Sequence, residues 1–519
     1  MLLPIFFFHN LYSQSTWSGD IAAILYKNCT NCHNPNGIAP FSIMDYTTTK
    51  QWANAIDYRV QSGEMPPWKP DTSYQRFVHE RILTTAEKTK LISWINAGAP
   101  SGDLSQAPAP PVYPSGGILP NPDLTVKMPT YTSKATSQKD DYICISIPSG
   151  LTKSRKIKAV EVVPGNRKIV HHTLVFIDPT GQYQSDTIGG DCASPSSGNM
   201  VTGYAPGGQP TIFPNGGNFK TGMTMPANSN IILALHYPEG SAGQKDSTLV
   251  NFFFYDENET GVREITTAPL LENWLFCIDA NTVQTVEDWY PHPSIGTNQD
   301  FSLLSIFPHS HLLGDRMESY SINANNDTTP LILIPHWDFE WQDFYFFKNI
   351  KKLEAGSRIY GKASYDNRAS NPHNPFTPPQ KVCAGLNTTS EMFIFYFHYM
   401  GYLPGDELVN IDSLMQINPV GLNEQEIAGD SKVSVYPNPS SGSVSINYNI
   451  ESNAFVNLFI YDLQGKLVKR LVQNEKQQGS QEVEWNRLDG NESRVPAGIY
   501  FYSLKVDQQL FSGRIILAD

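Results

Sequence analysis

The sequence predicts a mainly β protein of several domains, with one small α-helical segment near its N-terminus. Three observations carry that expectation. An aromatic fraction of 12%, with 38 Pro and 37 Gly, suits turn-rich β domains better than helical bundles. Short runs such as 142–147 (Tyr-Ile-Cys-Ile-Ser-Ile) and 231–236 (Ile-Ile-Leu-Ala-Leu-His), divided by clusters of Gly, Pro and Asn, read as strands of antiparallel sandwiches. Helical spacing is found in 21–25 and 85–95, where Leu91, Ile92 and Ile95 share one face and Gly98 stands at a C-terminal stop.

At 519 residues the chain exceeds one ordinary domain, and three to five units are expected at ~100–200 residues each. The net charge of −13 comes with no basic tract, which argues against nucleic acid as a partner. No apolar run approaches the ~20 residues that span a bilayer, so no transmembrane segment is expected. Residues 1–15 form a short apolar run ending in small and polar residues, and read as an export signal without the usual basic start.

Residues 16–102 are organised around Cys29-Thr30-Asn31-Cys32-His33, the Cys-x-x-Cys-His attachment signal for heme c. Two thiols bond the vinyl groups and His33 follows at the position of an axial ligand. The surrounding stretch resembles a small cytochrome c domain. Met65, on a proline-stiffened loop, is the preferred sixth ligand, with Met44 and His79 as alternatives; a His/Met pair implies a higher potential than two histidines. Residues 103–122 are proline-rich and read as a semi-rigid spacer.

Two histidine groups follow. His171-His172 and His236 offer three imidazoles, although neighbours on a regular strand diverge, so a bulge or strand end must bring the pair together. His309 and His311, at i and i+2, point to one side of a strand, and Met392 downstream adds a thioether that favours copper(I). The order His-His, His-Tyr, His-Ser-His, Glu-Met resembles the copper type II, ascorbate-dependent monooxygenases, the family of peptidylglycine and dopamine monooxygenases, over roughly residues 123–415.

The resemblance implies two jelly-roll-like β-sandwiches in series, 123–267 and 268–416, each supplying one copper. His171, His172 and His236 would hold the electron-donating ion. His309, His311 and Met392 would hold the one that activates dioxygen, with Tyr396 beside the substrate. The resemblance also implies a Cys144–Cys192 bridge, leaving Cys277 and Cys383 for a second. Residues 204–208 (Tyr-Ala-Pro-Gly-Gly) resemble a family loop, as do 365–368 and 371–372. Peptidylglycine enzymes anchor a terminal carboxylate with an arginine two residues before the His-x-His, and here that position is Phe307. Neutral or aromatic substrates are therefore expected over glycine-extended peptides, unless Arg316 or Arg368 replaces the cation. His292, His336, His373 and His398 are assigned structural roles.

After a linker at 417–432, residues 433–519 carry Tyr436-Pro437-Asn438-Pro439 and Pro496-Ala497-Gly498-Ile499-Tyr500. They resemble the immunoglobulin-like C-terminal sorting domain of type IX secretion. The expected protein is exported, secreted or held at the cell surface, with two coppers and one heme c. It would hydroxylate a small-molecule or peptide substrate with dioxygen, and be recharged through the heme by ascorbate, another external reductant or a redox donor protein. The alternative is an exported heme/copper electron-transfer or redox-sensing protein that turns over no substrate.

Overall fold

The computed structural model describes residues 14–415 and 433–518, apart from positions 36, 38, 114–116, 138, 193, 218, 293, 439, 463–466 and 507–508. The export signal, save its last two residues, and the 417–432 linker lie outside the described residues. The chain divides into two compact units, 1–420 and 421–519. Among the described residues no helix is long and apolar enough to cross a membrane.

The first unit begins with helices at Ala22–Asn28, Tyr46–Gln51, Ala53–Gln61 and Thr85–Asn96. The last is fixed by a capping box: Thr84 Oγ1 accepts from Glu87 N (3.1 Å), and Glu87 Oε2 accepts from Thr84 N (2.8 Å). Gly98 terminates it with φ +82°, a conformation that favours glycine. Leu91, Trp94 and Ile95 are the buried face, and Ile92 is only half-buried. Trp94 takes the core position because its larger ring fills the space against Trp17.

Residues 69–81 leave this helical part and lie on the β structure behind it. Asp71 N donates to Leu333 O (2.7 Å), Val78 N to Phe346 O (2.8 Å), and the fully buried Phe77 stacks on Phe347. The expected semi-rigid spacer is also tied down. Tyr113 OH meets Thr30 Oγ1 at 2.8 Å, and the Ile118 and Leu119 N–H groups donate to the buried Glu161 carboxylate. The helical segment is therefore part of the first unit's packing and does not hang from it.

Two β-sandwiches follow. In the first, a four-stranded sheet (Asp141–Pro148, Asn230–Tyr237, His172–Asp178, Asn199–Tyr204) faces a seven-stranded one built on Leu249–Phe254, Arg155–Val163 and Phe219–Met225. In the second, Thr266–Asn273, Phe393–Gly401, Phe301–His309 and Tyr345–Leu353 form one sheet. Its partner sheet comprises Val283–Tyr290, Arg358–Asp366, Gly314–Ile322 and Thr328–Ile334. Cys144 is bonded to Cys192 and Cys277 to Cys383, one bridge in each sandwich.

Strand Phe301–His309 is buried almost throughout, the pattern of a strand covered on both faces. A register shift between Leu303 and Ser305 sends Leu303 and Ile306 into the second sandwich's core, and Leu304 and Phe307 into the first's. The sheet is a wall shared by both cores. His398, in the adjacent strand, is fully buried on this wall between Phe344 and Phe346, with Ser305 Oγ 2.7 Å from its Nδ1.

The second unit is a β domain in which Val444–Tyr461 pairs along one edge with Leu467–Trp485. Its other edge pairs first with Val433–Tyr436 and then with Gly498–Val506, which continues to Gln509–Leu517. Val444, Ile446, Val456, Leu458, Ile460 and Trp485 form its core.

Candidate metal centres

The strand His172–Asp178 begins at His172, so His171 lies just outside the pleat and turns back, its N–H donating to His236 O (3.0 Å). His236 stands opposite His172 on the neighbouring strand. This strand end resolves the divergence expected of adjacent histidines. The three Nδ1 atoms converge at 3.2 Å (His171 to His236), 3.3 Å (His171 to His172) and 3.3 Å (His172 to His236). A point equidistant from three atoms so spaced lies ~1.9 Å from each, close to the ~2.0–2.1 Å of an imidazole–metal bond.

Two of the outward nitrogens face carboxylates. His171 Nε2 is 3.0 Å from Glu340 Oε2, and His236 Nε2 is 3.2 Å from Asp140 Oδ2 without the alignment of a full hydrogen bond. Tyr142 stacks on the His236 ring at 4.3 Å. Burial, the largest cause, pushes His236 down to about 4 and His172 well below the usual histidine value. Both are neutral at pH 7, with lone pairs free for a metal.

The second group departs from the expected geometry. The strand ends at His309, and His311 sits in the following turn, their rings perpendicular with centroids 5.2 Å apart. What brings His311 towards Met392 is a buried carboxylate: Glu391 Oε2 accepts from Ser310 Oγ (3.1 Å), His311 N (3.0 Å) and Met392 N (3.1 Å), and Oε1 from Leu313 N (2.6 Å). Burial raises Glu391 to about 7 despite those bonds.

His309 Nδ1 is 2.6 Å from Gln342 Oε1 and His311 Nδ1 is 3.1 Å from Ser390 O. With each Nδ1–H committed to an oxygen, each Nε2 is the free ligand atom. Burial drives His309 to about 4 and His311 to about 3. Met392 is itself buried. These neutral imidazoles and the thioether suit copper.

Both groups open on one cleft of about 110 Å³. His171, His172, His309, His311 and Met392 all line it, with Tyr396, Phe307, Phe339 and Ile394 as its apolar wall. Phe307 lies parallel to the His309 ring and stacks on Phe344 at 4.8 Å. Arg316 is paired with Glu318 and Arg368 with Asp366, and neither lines the cleft.

Cys29 and Cys32 are unbridged, and His33 Nδ1 is 3.1 Å from Phe41 O, leaving Nε2 for an axial bond. Two free thiols and one oriented imidazole fit heme attachment. Met65 is half-buried after helix Ala53–Gln61, its N–H bonded to Arg59 O; Met44 is half-buried with its carbonyl accepting from Tyr26 OH; His79 is in the segment that lies on the β structure. Cys32 faces the 204–208 loop: a Cβ on Gly207 would come within 3.1 Å of its Sγ, and Arg81 Nη1 donates to Gly207 O (2.8 Å). Tyr204 and Ala205, on the same loop, line the cleft.

Sequence reasoning found the histidines and Met392 but not Asp140, Phe339, Glu340, Gln342 or the function of Glu391. Their roles come from tertiary placement. Only the position of Glu391, next to Met392, was a local signal.

Residues 293–414 match the family model described as copper type II ascorbate-dependent monooxygenase, C-terminal domain. Residues 434–518 match the secretion system C-terminal sorting domain. No curated protein matches. Among solved structures, PorZ, a surface component of the type-IX secretion system of Porphyromonas gingivalis, is 19% identical over 25% of this chain and 15% of its own, with a TM-score of 0.14. Dimeric latent PorU from the same organism is 10% identical over 72% and 34%, with a TM-score of 0.15. The chain spans about a third or less of either, and likeness this low carries no argument about fold or activity. The C-terminal match marks the chain for type IX export to the cell surface or beyond.

Proposed function

We propose, taking the copper monooxygenase domain over 293–414 and the sorting tail over 434–518 as the premise, that this exported protein hydroxylates an organic substrate with dioxygen. The observation that carries the reading is that two donor sets open on one cleft: the triad of converging Nδ1 atoms, and the side chains of His309, His311 and Met392 in the same lining. Two bound coppers would supply one electron each to a reaction that needs two. His171, His172 and His236 would hold one ion and His309, His311 and Met392 the other, the thioether favouring copper(I).

The chain's own residues then set the substrate. Phe307, Phe339 and Ile394 offer apolar surface, Tyr396 offers a hydroxyl, and the two candidate replacement arginines are paired elsewhere. A neutral or aromatic molecule fits that lining. Cys29, Cys32 and His33 would carry heme c, with Met65 as its sixth ligand. The contact of Cys32 with the Gly207 loop supports an electron path from heme towards the His171, His172 and His236 copper. Ascorbate or another external donor would recharge the heme.

The test is product analysis with copper-loaded protein, a reductant and a panel of amines, phenols and glycine-extended peptides. Oxygen uptake matched by hydroxylated product is expected. Oxygen uptake with no product from any compound would favour the electron-transfer reading. A reduced heme that reoxidises no faster with copper than without it would remove the heme from the path.

A further inference from the structure

The two donor groups come from different sandwiches, yet one short segment touches both. Residues 337–343 connect strands Thr328–Ile334 and Tyr345–Leu353 of the second sandwich and run over the mouth of the first sandwich's triad. Glu340 reaches out of this loop to His171, its Oε2 3.0 Å from Nε2. Two residues later Gln342 turns the other way, its Oε1 2.6 Å from His309 Nδ1.

Each contact selects a tautomer. If Nδ1 of His171 faces a metal, its proton is on Nε2, and Glu340 is the acceptor that holds it there. If Nε2 of His309 faces a metal, its proton is on Nδ1, and Gln342 is the acceptor. The opposite nitrogens are thus freed in the two groups by neighbours on one backbone.

The loop is built to transmit a shift between them. Gln342 Nε2 donates to Phe339 O (2.8 Å), and the Phe339 ring stacks on His171 at 4.9 Å while meeting the His311 ring edge-on at 5.9 Å. Trp337 Nε1 donates to His311 O (3.2 Å). The ends are anchored by Trp337 N to Asp315 O (2.7 Å) and by the Asp343 pairing with Arg81 (3.3 Å). Moving Glu340 without moving Gln342 therefore strains bonds at both groups.

Resting on the copper reading above, we propose that the 337–343 loop is a shared positioning element. In it Glu340 and Gln342 fix the rings of His171 and His309, so that the two copper sites are set by one part. Glu340 lies outside the cleft lining, whereas Gln342 is part of it, and both are assigned here to act through the histidine rings they hold.

The experiment uses the full chain and copper alone. Copper(I) affinities are measured by competition with a chelator, and the copper(II) form is examined by electron paramagnetic resonance, for wild type, Glu340→Ala, Glu340→Gln, Gln342→Leu and Gln342→Glu. Loss of either acceptor should weaken one copper by ~10–100-fold, as removal of a ligand's hydrogen-bond partner commonly does. Each loss should also change the spectrum of the site it does not contact. Glu340→Gln and Gln342→Glu keep an acceptor oxygen and should restore affinity. Thermal unfolding of the metal-free variants separates misfolding from positioning; the Glu340 side chain is 62% exposed, so Glu340→Ala carries the test should Gln342→Leu not fold. Two tightly bound coppers with affinities unmoved in Glu340→Ala would overturn the proposal and leave the function standing, as would a spectral change confined to the contacted site. Wild-type protein that binds no copper would overturn both.

Discussion

His398 gives a sharp test of how the wall between the two cores responds to acid. It is fully buried, where an imidazolium would lose its hydration, and burial lowers it from the usual 6.5 to about 3. Between those values the unfolded chain binds a proton that the native state does not, so stability is full above pH ~6.5 and is lost as pH falls. The whole shift corresponds to at most ~5 kcal/mol, and the part expressed between pH ~7.5 and ~5 is ~2 kcal/mol. His398→Gln keeps a partner for Ser305 Oγ and removes the proton. Urea unfolding of metal-free wild type and variant, followed by fluorescence at those two pH values, should show wild type losing ~2 kcal/mol more than the variant on acidification. An equal loss in both proteins would refute the argument, because other buried histidines contribute identically to each.

Three further outcomes are expected. His311→Ala should reduce bound copper from two ions to one and abolish oxygen-dependent product formation while circular dichroism stays unchanged; retained turnover in the folded variant would remove the central assignment. Cys32→Ala should leave a heme held by at most one thioether, so that mass spectrometry still showing a two-bond adduct at this site would contradict the motif reading. Phe307→Arg should improve binding of a carboxylate-terminated peptide by about one to two decades, the ~1.5–3 kcal/mol of a charge-assisted pair, and a wild-type enzyme already preferring such peptides would show that the apolar wall does not select substrate.

The strands and sandwiches were legible because period-two runs and turn clusters are local properties, as were the two histidine groups and the sorting tail. Three features were not. The turn that carries His311 off its strand depends on Glu391, whose bonding partners are spread from 310 to 392. Residues 337–343 have no periodicity, so nothing in Trp-Asp-Phe-Glu-Trp-Gln-Asp marks Glu340 and Gln342 as neighbours of two separate histidine sets. The 103–122 stretch reads as a spacer from its prolines, yet Tyr113 and Ile118 bind distant groups that composition cannot reveal. Ile92 lost its core place to Trp94 because helical spacing admits both and side-chain volume decides.

The wall shared by the two sandwiches bears on how such a chain could be cut or could have arisen. Leu304, Phe307, Phe344, Phe346, Ile350 and Met400 face the first sandwich's core, although all six belong to the second. A fragment ending near residue 267 would uncover Val201 and Phe213, which meet the wall at His398, and one beginning there would carry a naked apolar sheet face into solvent. Each half alone is thus expected to be sticky and poorly soluble, whereas co-expressed halves should reassociate through that face. The smallest soluble unit of this region is then expected to be the pair of sandwiches.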